Sequence, residues 1–178
     1  MRWPVVLLLA SMSAVAAPAA SRKEVDDTTA WLTARGVEDA DTELGDVCCC
    51  VEVRVGKPAE TALDCREARA GGAPESADIA IAEVIRVVRA HKVVKVLDAW
   101  TGLENLDMPI GRGVRPWLDL PVTIDRTGRT LTIASPSASM YDCSHKRGEP
   151  VFDGWLERVC ASRGTYRWSG GRFVRASR

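Results

Sequence analysis

The chain has 178 residues, in which 24 lysine and arginine residues are balanced by 24 aspartate and glutamate residues. A hydrophobic fraction of 46% with 27% charged residues excludes an intrinsically disordered chain and is typical of a globular protein with about one domain's worth of core. There is no basic excess of the kind that phosphate neutralisation requires, so nucleic acid is not an expected partner.

Residues 1–19 are predicted to be a signal peptide. Arg2 supplies the positive charge, residues 5–10 form a short apolar stretch, and the small residues at 17–19 have the pattern of a cleavage site. The apolar stretch is too short to span about 30 Å of hydrocarbon. We therefore expect residues 20–178 to form a periplasmic or secreted domain with no membrane span after signal removal.

The first element of the mature chain is predicted to be a short helix that begins at Ser21 and ends at Gly36. Ser21 and Glu24 have the spacing of a capping box, and Gly36 is a suitable residue for the end of a helix.

A strand is predicted next, at Val47–Val55, because this segment is rich in β-branched residues and places Val51, Val53 and Val55 on one face. Residues 59–69 allow either a helix or a returning strand. Residues 77–91 allow a helix, because the apolar side chains from Ala77 to Val88 fit one helical face. The density of isoleucine and valine, with a second apolar run at 93–97, favours two strands joined near Ala90 and His91.

Two hairpins are predicted in the last third of the chain. Residues 118–134 alternate between apolar and polar side chains around a turn with Asp125 first and Gly128 fourth. In the second hairpin, a two-residue glycine loop at 170–171 places Trp168 opposite Phe173. An amphipathic helix is predicted between the hairpins, over residues 152–160. The fold class is therefore a β-rich α+β single domain of antiparallel hairpins with one N-terminal and one C-terminal short helix.

Six cysteines lie in the mature chain, and an even number in an oxidising compartment predicts disulfides that staple the domain. They are Cys48, Cys49, Cys50, Cys65, Cys143 and Cys160. Bridges between sequence neighbours are strained, so each member of the triplet is expected to pair with a remote cysteine. A returning strand would bring Cys65 to Cys50. Cys48 and Cys49 would then be bonded to Cys143 and Cys160, which would make the triplet a structural hub.

Catalytic and cofactor motifs are few. The sequence has neither a C-x-x-C pair nor a G-x-S-x-G nucleophile elbow, and His91 and His145 have no metal-ligand spacing with the cysteines. No metal, cofactor or catalytic residue is predicted, although two folded carboxylates could still form a hydrolase site. An enzyme is therefore the less favoured class.

The candidate binding residues are Tyr166, Trp168 and Phe173, which could form a surface for a carbohydrate or a peptide. Aromatic residues in this pattern more often form the core of a small sheet.

The C-terminal sequence GTYRWSGGRFVRAS, preceded by WLERVCASRG, resembles the C-termini of uncharacterised exported proteins from myxobacteria and related bacteria. This resemblance covers about the last thirty residues and implies no activity and no site. We expect an exported, non-catalytic binding or envelope-associated protein with an unknown protein or glycan partner. The alternatives are an exported hydrolase and a small disulfide-bonded inhibitor of a lytic enzyme or protease.

Overall fold

A computed structural model of the protein describes residues 21–40, 44, 47–70, 78–105, 118–135, 143 and 150–176. The strands form two antiparallel sheets, a large sheet of six strands in the order β1-β2-β3-β4-β5-β6 and a small sheet in the order β10-β9-β8-β7. The elements are β1 Lys23–Glu24, α1 Thr28–Thr33, β2 Val47–Val55, β3 Glu60–Ala70, β4 Asp78–Arg89, β5 Lys92–Asn105, β6 Leu118–Asp119, β7 Val122–Ile124, β8 Thr130–Ile133, α2 Pro150–Ala161, β9 Gly164–Ser169 and β10 Arg172–Arg175.

The large sheet is a meander of long strands, which confirms the strand at Val47–Val55 and the two strands within residues 77–100. Residues 59–69 form the returning strand β3, not a helix. The turn between β4 and β5 consists of Ala90 and His91, with φ of 49° and 62°. Two positive φ values give the two-residue turn whose twist matches that of the flanking strands.

Three β-bulges shape this sheet. The register shifts at Cys48 in β2 and at Val96 and Thr101 in β5, where one extra residue faces the partner strand. Each bulge bends its strand and increases the local twist. The large sheet is accordingly curled into a half-barrel.

The N-terminal helix differs from its prediction. It has only six residues, and its N-cap is Asp27, whose side chain accepts a hydrogen bond from the Ala30 N–H at 2.8 Å. The expected capping box at Ser21 and Glu24 is wrong because β1 pairs with β2 instead. Pairing with β2 provides hydrogen bonds for the backbone N–H and C=O groups of Lys23 and Glu24, which a helix would otherwise have provided.

The predicted hairpin over residues 118–134 is divided between the two sheets. Its first strand is interrupted at Leu120 and Pro121, so that β6 pairs with β5 while β7 pairs with β8. Proline has no N–H to donate to a neighbouring strand, so a continuous strand through Pro121 would lack one hydrogen bond. The chain instead passes from one sheet to the other at this point. The turn itself is confirmed, since the Gly128 N–H donates to the Asp125 carbonyl oxygen at 3.0 Å.

The second hairpin is confirmed. β9 and β10 are joined by the two glycines at 170 and 171, and Trp168 lies opposite Phe173. The two rings meet edge to face, with centroids 5.2 Å apart and an interplanar angle of 83°. This geometry is the one that aromatic pairs prefer.

Two apolar clusters stabilise the fold. The larger cluster lies between the sheets and includes Val53 and Ile85 from the large sheet with Leu131 and Phe173 from the small one. The smaller cluster lies on the other face of the large sheet, where Leu32 of α1 packs near the bridge between β2 and β3. The large sheet is therefore buried on parts of both faces, as its runs of valine and isoleucine require. No helix among the described residues is long and apolar enough to cross a membrane.

Candidate functional site

Two disulfides are formed among the described residues. Cys50 and Cys65 are direct cross-strand neighbours in β2 and β3 and are bonded to each other, as expected from a returning strand. Cys143 is bonded to Cys160 of α2. The predicted hub is therefore wrong, because both of its remote partners are consumed by this second bridge. Cys143 and Cys160 are only 17 positions apart in the sequence, and a short loop costs less entropy to close than one of roughly 100 residues.

The other two members of the triplet lie at the start of β2. Cys49 is exposed and takes part in neither bridge. Cys48 is the bulge residue, and its side chain lies outside the described residues. In the part of the chain that the structure describes, no three histidine, cysteine, aspartate or glutamate side chains are grouped to hold a metal ion.

The aromatic candidates have different surroundings. Trp168 is half-buried, with Arg89 5.8 Å above its ring and its indole so close to Gly56 that a Cβ there would lie 2.7 Å from a ring atom. Its contacts are those of a core residue. Tyr166 and Phe173 line a cleft, although the Tyr166 hydroxyl also donates to the Ser162 carbonyl oxygen at 2.7 Å.

Of the two histidines, His145 lies outside the described residues. His91 is exposed in the turn between β4 and β5. Neither histidine is therefore placed in a described catalytic arrangement.

A buried carboxyl pair, which no sequence motif indicates, lies on the face of the large sheet that carries Ile85. Asp64 of β3 and Glu83 of β4 are 3% and 7% exposed and are hydrogen-bonded to each other. The Arg22 guanidinium lies 2.7 Å from Asp64 and 3.8 Å from Glu83. Arg66 lies on the same face and binds Asp119 of β6 at 2.9 Å.

This pair holds a proton at neutral pH. The pKa of Glu83 is raised to about 9, mainly by burial and in addition by the adjacent Asp64 charge. Burial also raises the pKa of Asp64, against the opposing effects of the Glu83 hydrogen bond and Arg22. With Glu83 protonated, two guanidinium groups face two carboxylates, so the buried cluster is electrically balanced.

The pair is poorly suited to glycoside hydrolysis. Retaining enzymes need carboxyl groups about 5 Å apart and inverting enzymes need about 6.5–9.5 Å, so that the sugar or a water fits between them. Asp64 and Glu83 are in direct hydrogen-bond contact and almost inaccessible to solvent. We therefore assign the pair to the structure of the sheet, as with Glu67 and Arg86, which form a buried ion pair on its other face.

A more accessible site lies along β10. A cleft of about 410 Å³ separates β10 from residues 95–98 of β5, and Arg172, Val174 and Arg175 form one of its walls. A second cleft of about 470 Å³ lies at the end of α2, lined by Ser135, Arg163, Thr165 and again Arg175. Both volumes are in the range of ligand sites in proteins. Because Arg175 lines both clefts, we treat them as one site, the arginine groove (residues 95–98, 133, 135, 160, 163–166 and 172–176).

The arginines beside α2 are held by the end of that helix. Arg163 donates from Nε to the Cys160 carbonyl oxygen at 3.1 Å, and Arg175 donates to the carbonyl oxygens of Ala161 at 2.8 Å and Arg163 at 2.6 Å. The last carbonyl groups of a helix lack partners within it and carry partial negative charge. The helix therefore fixes both guanidinium groups in place without neutralising their full charges.

Positive charge dominates the groove. Among the described residues that line the groove, Lys95, Arg163, Arg172 and Arg175 face a single carboxylate, Asp98, which lies 3.8 Å from Lys95 and already binds Arg69 of β3 at 2.7 Å. Among the described residues, no carboxylate oxygen lies within 4.0 Å of Arg163, Arg172 or Arg175. The groove is thus suited to binding an anionic group.

One feature of the sequence indicates this site, although the search for aromatic residues did not identify it. Glu157 is the last acidic residue of the chain, and six arginines follow it. Three of them, Arg163, Arg172 and Arg175, meet in the groove. Their meeting depends on the contact of β10 with β5, which is remote in sequence. No family model, curated protein or solved structure matches the chain.

Proposed function

We propose that the protein is an exported, non-catalytic binding protein of the cell envelope that recognises an anionic protein or glycan partner through the arginine groove. The observation that carries this proposal is the excess of fixed guanidinium groups in an accessible groove. Guanidinium groups bind carboxylates and phosphates through paired, directional hydrogen bonds. Inhibition of a lytic enzyme or protease would be one special case of such binding.

Export to the periplasm or the medium is part of the proposal. It is supported by the signal-peptide pattern of residues 1–19 and by two disulfides, which persist in oxidising compartments. N-terminal mass spectrometry of the protein from its native host should find a mature chain that starts between residues 17 and 22. Recovery of intact Met1 in the membrane fraction would contradict export as a processed protein.

Binding is tested by capture from envelope extract on the immobilised mature protein. The variant carries Arg163→Gln and Arg172→Gln, which remove two charges from the groove. The matched control carries Arg126→Gln and Arg129→Gln, which remove two charges from the exposed turn between β7 and β8. We expect the wild type and the control to retain the same component and the groove variant to lose it.

The salt dependence and chemical nature of that component complete the test. Retention should fall between about 0.1 M and 1 M salt, over which the Debye length shortens from about 10 Å to 3 Å. Protease treatment of the extract distinguishes a protein partner from a glycan. Equal capture by the groove variant and the control would overturn the assignment of the site.

A further inference from the structure

β10 presents an unpaired strand edge to the groove. Parts of β5 lie within 8 Å of β10 by Cα separation, whereas a strand between two others needs about 9.6 Å, so β5 has to move outward when a further strand is added. In the β9–β10 hairpin, Arg172 is the first residue after the turn, and the Ala176 N–H donates to the Thr165 carbonyl oxygen at 2.8 Å. Backbone groups alternate in direction along an antiparallel strand, so those of Phe173 and Arg175 point away from β9. In the part of the chain that the structure describes, no strand pairs with this edge.

The opposite wall of the groove is less suited to pairing. The bulge at Val96 interrupts β5 within the cleft, and the Lys95 side chain lies beside it. Bulges and lysines are the features that protect strand edges from addition of another strand. β10 has an uninterrupted register with β9, so it is the better edge for a bound strand.

The sequence of β10 defines what such a strand should contain. Arg172, Phe173, Val174 and Arg175 give the order cation, apolar, apolar, cation. Val174 is 42% exposed, so contact with an apolar side chain of the bound strand would remove apolar surface of both residues from water. Directly opposite side chains in paired strands stabilise each other when their charges are opposite or when both are apolar. The complementary order is acid, apolar, apolar, acid, and it is the same in both chain directions.

The same order argues against a second copy as the occupant. An antiparallel pair of two β10 strands would place Arg172 of each copy opposite Arg175 of the other. Like charges directly opposite are destabilising. Charge complementarity therefore favours a different chain with carboxylate side chains.

We propose that the arginine groove binds an extended acidic peptide, which adds to β10 as a further strand with the order acid, apolar, apolar, acid. This inference rests on the proposed function and names the partner as a peptide segment. Main-chain hydrogen bonds to Phe173 and Arg175 would provide affinity, and the two arginines would set the register.

The test uses fluorescence anisotropy with the mature protein and labelled peptides blocked at both ends. The first probe contains Glu-Val-Val-Glu between Ser-Gly flanks, and its matched control contains Val-Glu-Glu-Val with the same composition and charge. The control cannot place an acid opposite each arginine. We expect the first probe to bind about tenfold more tightly, as several cross-strand pairs would provide.

Strand addition itself is tested by N-methylation of alternate peptide nitrogens, in each of the two possible frames. One frame removes the N–H groups that face β10, and the other removes those that face away. We expect only one frame to lose binding. Equal binding of both methylated probes would overturn strand addition.

The register is tested with Arg172→Glu, for which the control is Arg167→Glu, an equal charge change on the exposed face of β9. We expect Arg172→Glu alone to abolish the preference for Glu-Val-Val-Glu. Either Lys-Val-Val-Glu or Glu-Val-Val-Lys should restore tight binding to that variant, and the successful probe gives the strand direction. Restoration by neither probe would overturn the register.

Failure of this inference is separable from failure of the proposed function. If the wild type shows no preference between the two first probes while the groove variant still loses its envelope component, strand addition is wrong and anionic binding at the groove stands. If no component depends on the groove arginines either, both proposals fail.

Discussion

The large sheet buries Asp64, Glu83 and Arg86, whereas the small sheet keeps its arginines on its outer face and rim. Each charge buried in the large sheet has an ionic or protonated neighbour within the same sheet or in the adjoining N-terminal segment. The arginines beside β10 are bound by helix carbonyl oxygens or face the groove. Charge that is completed within the fold supports the structure, while charge that the fold leaves incomplete lies where we propose that a partner binds.

The largest effect is expected from breaking a buried ion pair of the large sheet. Glu67→Ala should lower the free energy of unfolding by about 3–5 kcal/mol, because it leaves the 2%-exposed Arg86 without its carboxylate. Arg167→Ala on the exposed face of the small sheet should change it by less than about 0.5 kcal/mol. Denaturant melts measure both values. Similar values for the two variants would remove the distinction between the sheets.

A somewhat smaller effect is expected from the aromatic pair of the small sheet. Trp168→Ala should cost about 3 kcal/mol, near the low end for a large aromatic because the side chain is half-buried. Ser169→Ala, the next residue of β9 and exposed, serves as the control. A loss below about 1 kcal/mol for Trp168→Ala would mean that the ring contributes little to the core and would restore it as a candidate ligand surface.

The two disulfides allow the large sheet and the region beside α2 to be compared by the stability lost when each bridge is removed. A disulfide stabilises a protein mainly by restricting its unfolded state. Replacing both cysteines by serine should cost about 3 kcal/mol in either bridge, since the sequence separations of 15 and 17 are nearly equal. The pairs are Cys50 with Cys65 in the large sheet and Cys143 with Cys160 beside α2. Non-reducing peptide mapping should recover these two links. A peptide that links Cys48 or Cys49 to Cys143 or Cys160 would contradict the connectivity.

Local sequence patterns predicted much of the secondary structure because they concern neighbours in the chain. Strand propensity, turn chemistry and periodicity were sufficient to predict the strand Val47–Val55, the turn at Ala90 and His91, and the Trp168–Phe173 pair. The partner of Cys143 and the division at Pro121 were not, since both depend on how remote segments meet. The helix at residues 28–33 was misplaced because pairing of β1 with β2 is a tertiary event.

The candidate site was predictable only in part for the same reason. Tyr166 and Phe173 were identified from aromatic patterning and do line the groove, but its arginines come from the end of α2 and from β10. The carboxyl pair was hidden because Asp64 and Glu83 lie 19 positions apart in segments whose secondary structure was open. Their contact follows from the β3–β4 register, in which Glu83 lies opposite Arg66.

The smallest effect concerns how stability depends on pH in the large sheet. Glu83 has a folded pKa of about 9 against an ordinary value of 4.5, so between these values the folded state binds more protons than the unfolded state. Stability from this group is therefore complete below about pH 4.5 and is lost as the pH rises towards 9, by up to about 1.4 kcal/mol per unit.

Glu83→Gln keeps an N–H donor for Asp64 and removes the titration. Between pH 7 and 8, the free energy of unfolding of this variant should therefore fall by about 1 kcal/mol less than that of the wild type. Urea melts of both proteins at the two pH values measure the difference, with Glu157→Gln on the exposed side of α2 as the control. Parallel pH profiles for the wild type and Glu83→Gln would show that the buried carboxyl is ionised in the folded protein, and the large sheet would then contain an unbalanced charge.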